Sequence, residues 1–78
     1  MLYFAAVRDL VGLASEELEL PPSVPTIRAL GPWLEGRHEA LAGRLGAVRF
    51  ALDERFASDD DALHEGAVVA LIPPVAGG

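Results

Sequence analysis

The sequence predicts an α+β fold in which a mixed sheet is crossed by a helix, and three observations lead there. Two all-apolar runs stand near the ends of the chain, LYFAAV at 2–7 and AVVALI at 67–72. Alternating segments accompany them, SEELEL at 15–20 and VRFALD at 48–53. Between these lies one stretch with helical spacing of apolar residues.

Taken in order, Leu2 to Val7 is nearly continuous in apolar residues, which suits a strand buried on both faces in the middle of a sheet. Gly12 then breaks the chain. In SEELEL, Leu18 and Leu20 fall on one face and Glu17 and Glu19 on the other, the pattern of a half-exposed hairpin partner. Pro21, Pro22 and Pro25 end that strand, and Thr26 is placed to cap a helix carrying Ile27, Leu30 and Leu34 at i, i+3, i+7 spacing, with Trp33 beside them. Gly31 and Pro32 predict a kink or break, because proline lacks the amide proton and crowds the preceding turn. A second short helical piece is expected from His38 to Leu45, stopped by Gly46. VRFALD then places Val48, Phe50 and Leu52 inward, and a turn at Asp53 and Glu54 leads to a brief strand around Phe56. SDDDALHEG reads as a polar connection, and AVVALI as the closing strand.

Two doubly buried strands joined through a helix favour parallel, adjacent positions at the centre of a sheet, with a right-handed crossover. That is the logic of the β-grasp, or ubiquitin-like, fold. The expected organisation is one domain over 1–72 and a flexible functional tail over 73–78.

Composition narrows the function. A chain of 78 residues, 51% hydrophobic, builds a single core, although at this size folding hides only about 60% of the surface. Twelve acids against six arginines give −6, and there is no lysine, so nucleic acid is not an expected partner and a basic protein surface is. Without lysine the chain cannot link to copies of itself through side-chain isopeptide bonds. Without cysteine it has no disulfide, zinc thiolate or thioester relay of its own. MLYFAAVRDL lacks a basic leading segment, and Arg8 and Asp9 interrupt it too early for a signal-peptide core. AVVALIPPV is far shorter than the ~20 residues of a membrane span. A cytoplasmic protein without membrane attachment is expected.

Catalytic groups are sparse. Ser15, Ser23, Ser58, Thr26, His38 and His64 are scattered over loops and helix ends, with no nucleophile beside a base. His38 and His64 read as ordinary surface residues. Asp59, Asp60 and Asp61 are consecutive, whereas calcium loops place oxygens at alternating positions around a glycine, so they read as a solvated loop with Asp61 capping the turn before Leu63. The glycines fit no phosphate-cradling pattern. No metal and no cofactor bound by this chain are expected.

What remains is the tail, PPVAGG. Gly78 offers an α-carboxylate on the least hindered residue, ionised in the cell and therefore unreactive toward nucleophiles until another protein activates it. Gly77 and Gly78 can thread a narrow channel because they lack β-carbons. Pro73 and Pro74 favour an extended exit, and six residues at about 3.3 Å each reach roughly 20 Å.

FAAVRDLVG at 4–12 and LIPPVAGG at 71–78 resemble the N-terminal and C-terminal signatures of the small, sulfur-carrying subunit of molybdopterin synthase. The likeness spans the whole chain in length and element order. It implies that a ubiquitin-activating-type adenylyltransferase uses ATP to adenylate Gly78. Sulfur from a donor protein then replaces the adenylate to give a thiocarboxylate. The tail enters the large synthase subunit, where the sulfur goes to cyclic pyranopterin monophosphate to form the molybdopterin dithiolene. Catalytic residues would lie on the large subunit, this chain being a donor rather than an enzyme by itself, in a heterotetramer of two carriers and two large subunits. Residue by residue, the resemblance assigns Gly77 and Gly78 to the functional end, and Phe4, Arg8, Phe56 and Ile72 to the partner surface, with Pro73, Pro74, Val75 and Ala76 leading into the partner. Ordinary core burial is the competing reading for Phe4, Phe56 and Ile72, and stabilisation of the first turn for Arg8. Family members often carry aromatic residues before the two prolines, where this chain has Leu71 and Ile72. Sulfur carriage for thiamin or tRNA thiolation shares the tail chemistry. A ubiquitin-like modifier or plain interaction domain is a third possibility.

Overall fold

The computed structural model describes residues 1–74. Its elements in chain order are β1 (Leu2–Tyr3), α1 (Ala5–Val11), α2 (Ile27–Arg37), a 3-10 turn (Glu39–Leu41), β2 (Arg49–Leu52), β3 (Arg55–Phe56) and β4 (Val69–Ile72). The strands form one sheet in the order β1-β4-β2-β3. β1 runs parallel to β4, and β2 is antiparallel to both β4 and β3. This is the expected α+β, ubiquitin-like arrangement, with the two apolar end strands side by side and α2 in the connection between β1 and β2.

The first apolar run is not one strand to Val7. It leaves the sheet after Tyr3, turns at Ala5 with a φ of 48°, and becomes α1. The reason is legible in retrospect: Val7, Leu10 and Val11 stand at i, i+3, i+4 and pack on the core. Gly12, at φ 83°, closes the helix by donating its N–H to the Arg8 carbonyl, a left-handed cap that suits glycine. β1 also stands at the end of the strand order rather than mid-sheet, with β4 and β2 inside it.

SEELEL keeps its alternation, with Glu17 and Glu19 exposed and Leu18 and Leu20 half-buried, but among the described residues it forms no ladder beyond a single bridge from Ser15 to Leu2. A strand needs a partner of matching length, and β1 is two residues long.

In α2 the helix runs unbroken through Gly31 and Pro32. Burial of Ile27, Leu30 and Leu34 on one face outweighs the hydrogen bond that proline removes. Thr26 starts the helix, but its side chain accepts no capping hydrogen bond. Its first amides are taken instead from across the chain: Ile27 N–H donates to the Asp61 carbonyl at 3.1 Å and Arg28 N–H to the Asp59 carbonyl at 2.8 Å. The acidic run thus sits at the positive end of the α2 dipole, and Asp60 pairs with Arg28 at 2.9 Å. Asp61 caps the turn behind it, accepting from Ser58 N and Oγ, rather than the turn before Leu63.

The helical piece after His38 shrinks to Glu39–Leu41, which buries Leu41 completely. The core lies on one side of the sheet, where Tyr3, Val69 and Leu71 meet Val7, Ile27, Leu30, Leu34 and Leu41. Val48, Phe50 and Leu52 pack against it as expected, half-buried.

Candidate functional site

Because strand side chains alternate between faces, the same strands present a second surface away from the helices. Pairing aligns Leu2 with Ala70, Ala70 with Ala51, and Ala51 with Phe56, one row across all four strands. Small residues at its centre and larger ones at its ends make a depression of about 280 Å³ with a floor of Ala51 and Ala70 and walls of Leu2, Phe4, Phe56, Val68 and Ile72. Phe4 is 47% exposed, Val68 47% and Phe56 60%.

No described helix covers this face, so β4 is apolar on both sides although the described residues bury only one, Val69 and Leu71. Contiguous exposed apolar surface of this kind is suited to docking. The edge is charged: Glu54 lies on the rim, and the Arg49 guanidinium stacks over the Phe56 ring at 4.1 Å, holding it in place.

Phe4, Phe56 and Ile72, dispersed through the sequence, therefore meet in one depression. The core reading does not hold for Phe4 or Phe56, which are exposed. Arg8 is not brought to the depression; it lies exposed on α1 and contributes its carbonyl to the Gly12 cap. Ala51, Val68 and Ala70 were missed by sequence reasoning. Their signal was present in their positions one residue away from the inward-facing Phe50, Leu52, Val69 and Leu71, but the strand register was required to read it. Pro73 and Pro74 follow β4 directly, half-buried and exposed. Val75, Ala76, Gly77 and Gly78 lie outside the described residues.

A separate polar cluster ties the N-terminal segment to the end of α2. The Tyr3 hydroxyl and His38 Nε2–H each donate to Glu16 Oε1 at 2.6 Å, and Arg37 stands 3.7 Å from Oε2. Desolvation works against the ionised Glu16 carboxyl. The hydrogen bonds from Tyr3 and His38, with the positive charge of His38 and Arg37, outweigh it and hold the carboxyl below its usual range. Burial, then the bond to Glu16, pushes the Tyr3 hydroxyl well above its own. This network reads as a brace for β1, since it joins it to α2. Glu16→Ala removes the acceptor from the Tyr3 hydroxyl and is expected to lower stability by about 1–3 kcal/mol in urea denaturation. With its folded-state pKa depressed, the Glu16 contribution is present above the unfolded value near 4.5 and is lost as pH falls through the folded one. The difference between wild type and Glu16→Ala should therefore shrink in acid.

On the surface, His64 Nε2–H donates to Asp53 Oδ2 at 2.6 Å, and Asp53 Oδ1 accepts the Val68 N–H. These bonds lock the β2–β3 turn, whose residues Asp53 and Glu54 both have positive φ, against the start of β4. Both histidines are thus engaged in structural pairs. Among the described residues no group of three or more His, Asp or Glu side chains is arranged to hold a metal ion. No helix among them is long and apolar enough to cross a membrane.

The chain matches the ThiS family over residues 1–78. It is 36% identical over 80 residues to a molybdopterin synthase sulfur carrier subunit from Escherichia coli, covering 100% of this chain and 96% of that protein. Its fold is similar to that of a putative molybdopterin converting factor, subunit 1, from Pyrococcus furiosus, with TM-score 0.80, 34% identity, and coverage of 95% of this chain and 93% of the other. It is also similar, in fold alone at 23% identity and TM-score 0.63, to a chain in a protein–protein complex of subunits 1 and 2 of molybdopterin-converting factor from Helicobacter pylori, covering 97% of this chain and 92% of that one.

Proposed function

The chain belongs to the ThiS family, and from that membership we propose that it is the sulfur carrier subunit of a molybdopterin synthase. The observation that carries the reading is spatial. The open apolar depression of Phe4, Phe56 and Ile72 ends where β4 passes into Pro73 and Pro74, the approach to the Val75–Gly78 segment. A partner seated on that face is therefore also close to the origin of the segment that carries the cargo.

In this reading the large synthase subunit docks on the depression with an apolar side chain over Ala51 and Ala70. The division of labour follows from what this chain lacks. It has no cysteine, and a carboxylate is a poor electrophile. An activating enzyme therefore converts the Gly78 carboxylate to an acyl adenylate at the expense of ATP, pyrophosphate leaving. Sulfur delivered by a donor protein at the sulfide oxidation level then displaces AMP to leave a thiocarboxylate. Gly77 supplies the narrow, β-carbon-free approach that a buried reaction centre requires. The large subunit then provides the catalytic groups for transfer to cyclic pyranopterin monophosphate, in a heterotetramer of two carriers and two large subunits.

Intact mass spectrometry of the chain isolated from cells tests the loading step. The expected product gains the mass difference between sulfur and oxygen, localised to Gly78 by fragmentation, which separates it from oxidation elsewhere. Attachment of Gly78 to lysines of other proteins would show a modifier instead. Binding to the large subunit separates this reading from thiamin or tRNA thiolation.

The docking face has its own test. Phe56→Asp places a charge on the wall of the depression while touching an edge strand residue that is 60% exposed. It is expected to weaken binding of the large subunit by about 2 kcal/mol or more, roughly thirtyfold, in calorimetric titration, with little change in folding stability.

A further inference from the structure

Two charged side chains flank the Phe4–Phe56 depression at its opposite ends, and among the described residues neither has an ion-pair partner. Arg49 stands at the end where the tail begins. It pairs across the sheet with Ile72, the last residue of β4, and residues paired in this way point to the same side. Its guanidinium lies 4.1 Å from the centre of the Phe56 ring, which fixes its place on the wall and leaves its charge unneutralised. Glu54 stands at the other end, in the β2–β3 turn, where it lines the depression together with Val68.

The residues around these two do not cancel the polarity. In the turn, Asp53 is already bonded to His64 at 2.6 Å, and Arg55 pairs with Leu52 on the core-facing side of the hairpin. Four strand steps of about 3.3 Å, from Arg49 to Asp53, put roughly 13 Å between the two ends. Along the strands the open face therefore reads cation, apolar floor, anion, with the cation at the root of Pro73 and Pro74.

We propose that this polarity orients the docking partner: the surface seated on the depression presents an apolar side chain to the Ala51–Ala70 floor, a carboxylate to Arg49 on the tail side, and a cation to Glu54 on the turn side. A partner turned end for end would keep the apolar contact and set like charges against each other. The floor thus supplies affinity, and the two charges select one of two seatings. That selection has a consequence for this chain, because the segment after β4 departs from the Arg49 end and reaches a fixed point on the partner in only one of them. At long range the net charge of −6 draws the chain to basic surfaces, and Arg49 adds the opposite requirement at one place. The inference rests on the docking reading above and adds the charge pattern of the partner.

The test is calorimetric titration of the large subunit with the full chain as wild type, as Arg49→Glu/Glu54→Arg, and as Phe56→Asp. The double exchange keeps the net charge and the apolar floor and reverses only the direction of the charge pattern. It is expected to bind roughly tenfold or more weakly at low salt, with most of the loss gone near about 1 M salt, where the screening length is about 3 Å. Glu54→Gln, which leaves the Arg49–Phe56 stack in place, should lose roughly threefold, and Arg49→Lys should stay within about threefold of wild type. Equal binding by the double exchange, or a loss that salt does not relieve, overturns the charge pattern, while wild-type binding and a loss at Phe56→Asp keep the docking reading standing. No binding by wild type, or undiminished binding by Phe56→Asp, removes the docking face and the polarity with it.

Discussion

Deletion of Gly78 is expected to abolish sulfur transfer while leaving the folded domain intact. Removing one residue shortens the reach of an extended segment by about 3.3 Å. A displacement of 1 Å at a reacting group is enough to cost about a hundredfold in rate. Loss of at least that factor in molybdopterin formation is therefore the expected outcome when the shortened chain, the large subunit and the loading proteins are combined. Far-UV circular dichroism and urea midpoint should be unchanged, since the core is built from residues between Tyr3 and Leu71. Full activity from the shortened chain would remove Gly78 from the chemistry. Gly78→Ala is the finer probe: it keeps the length and adds one methyl group, so its loss measures how closely the partner surrounds the terminal residue.

The second large effect is on stability. Leu71→Ala empties a fully buried site on the strand flanked by both β1 and β2, opposite Tyr3 on one side and Phe50 on the other. A cost of about 2–5 kcal/mol is expected, from lost transfer free energy and the cavity left behind. Domains hold only about 5–15 kcal/mol in total, and one of this size has the smaller share. The variant should thus be substantially unfolded at moderate urea. The neighbouring Ile72→Ala, on the open face, should cost under about 1 kcal/mol and instead weaken binding of the large subunit. Similar losses of stability at both positions would mean that the two faces of β4 do not differ in burial as described. Together the pair separates what β4 does for folding from what it does for docking.

Much of the site was visible in the residues before any coordinates. FAAVRDLVG and LIPPVAGG carried the family resemblance, and the absence of cysteine and lysine left a terminal carboxylate as the chemistry to consider. Arg8 was placed on the partner surface by resemblance, and the structure leaves it on α1 away from the depression, because the turn at Ala5 carries the chain off the sheet. The all-apolar run 67–72 reads as a doubly buried strand. Apolar patterning records that water is excluded, and cannot distinguish exclusion by this chain from exclusion by another.

Local pattern alone determined the existence of α2, the β2–β3 turn, the apolar character of the two end strands and the inward set at Ile27, Leu30 and Leu34, because each rests on residues close together in the chain. The tertiary structure decided the rest. It ended β1 at Tyr3, supplied the carbonyls of Asp59 and Asp61 to cap α2, and left 17–20 without a strand partner among the described residues. It also set Ala51 and Ala70 in one row between Leu2 and Phe56. Those outcomes depend on strand register and on contacts between distant segments, which sequence periodicity does not encode.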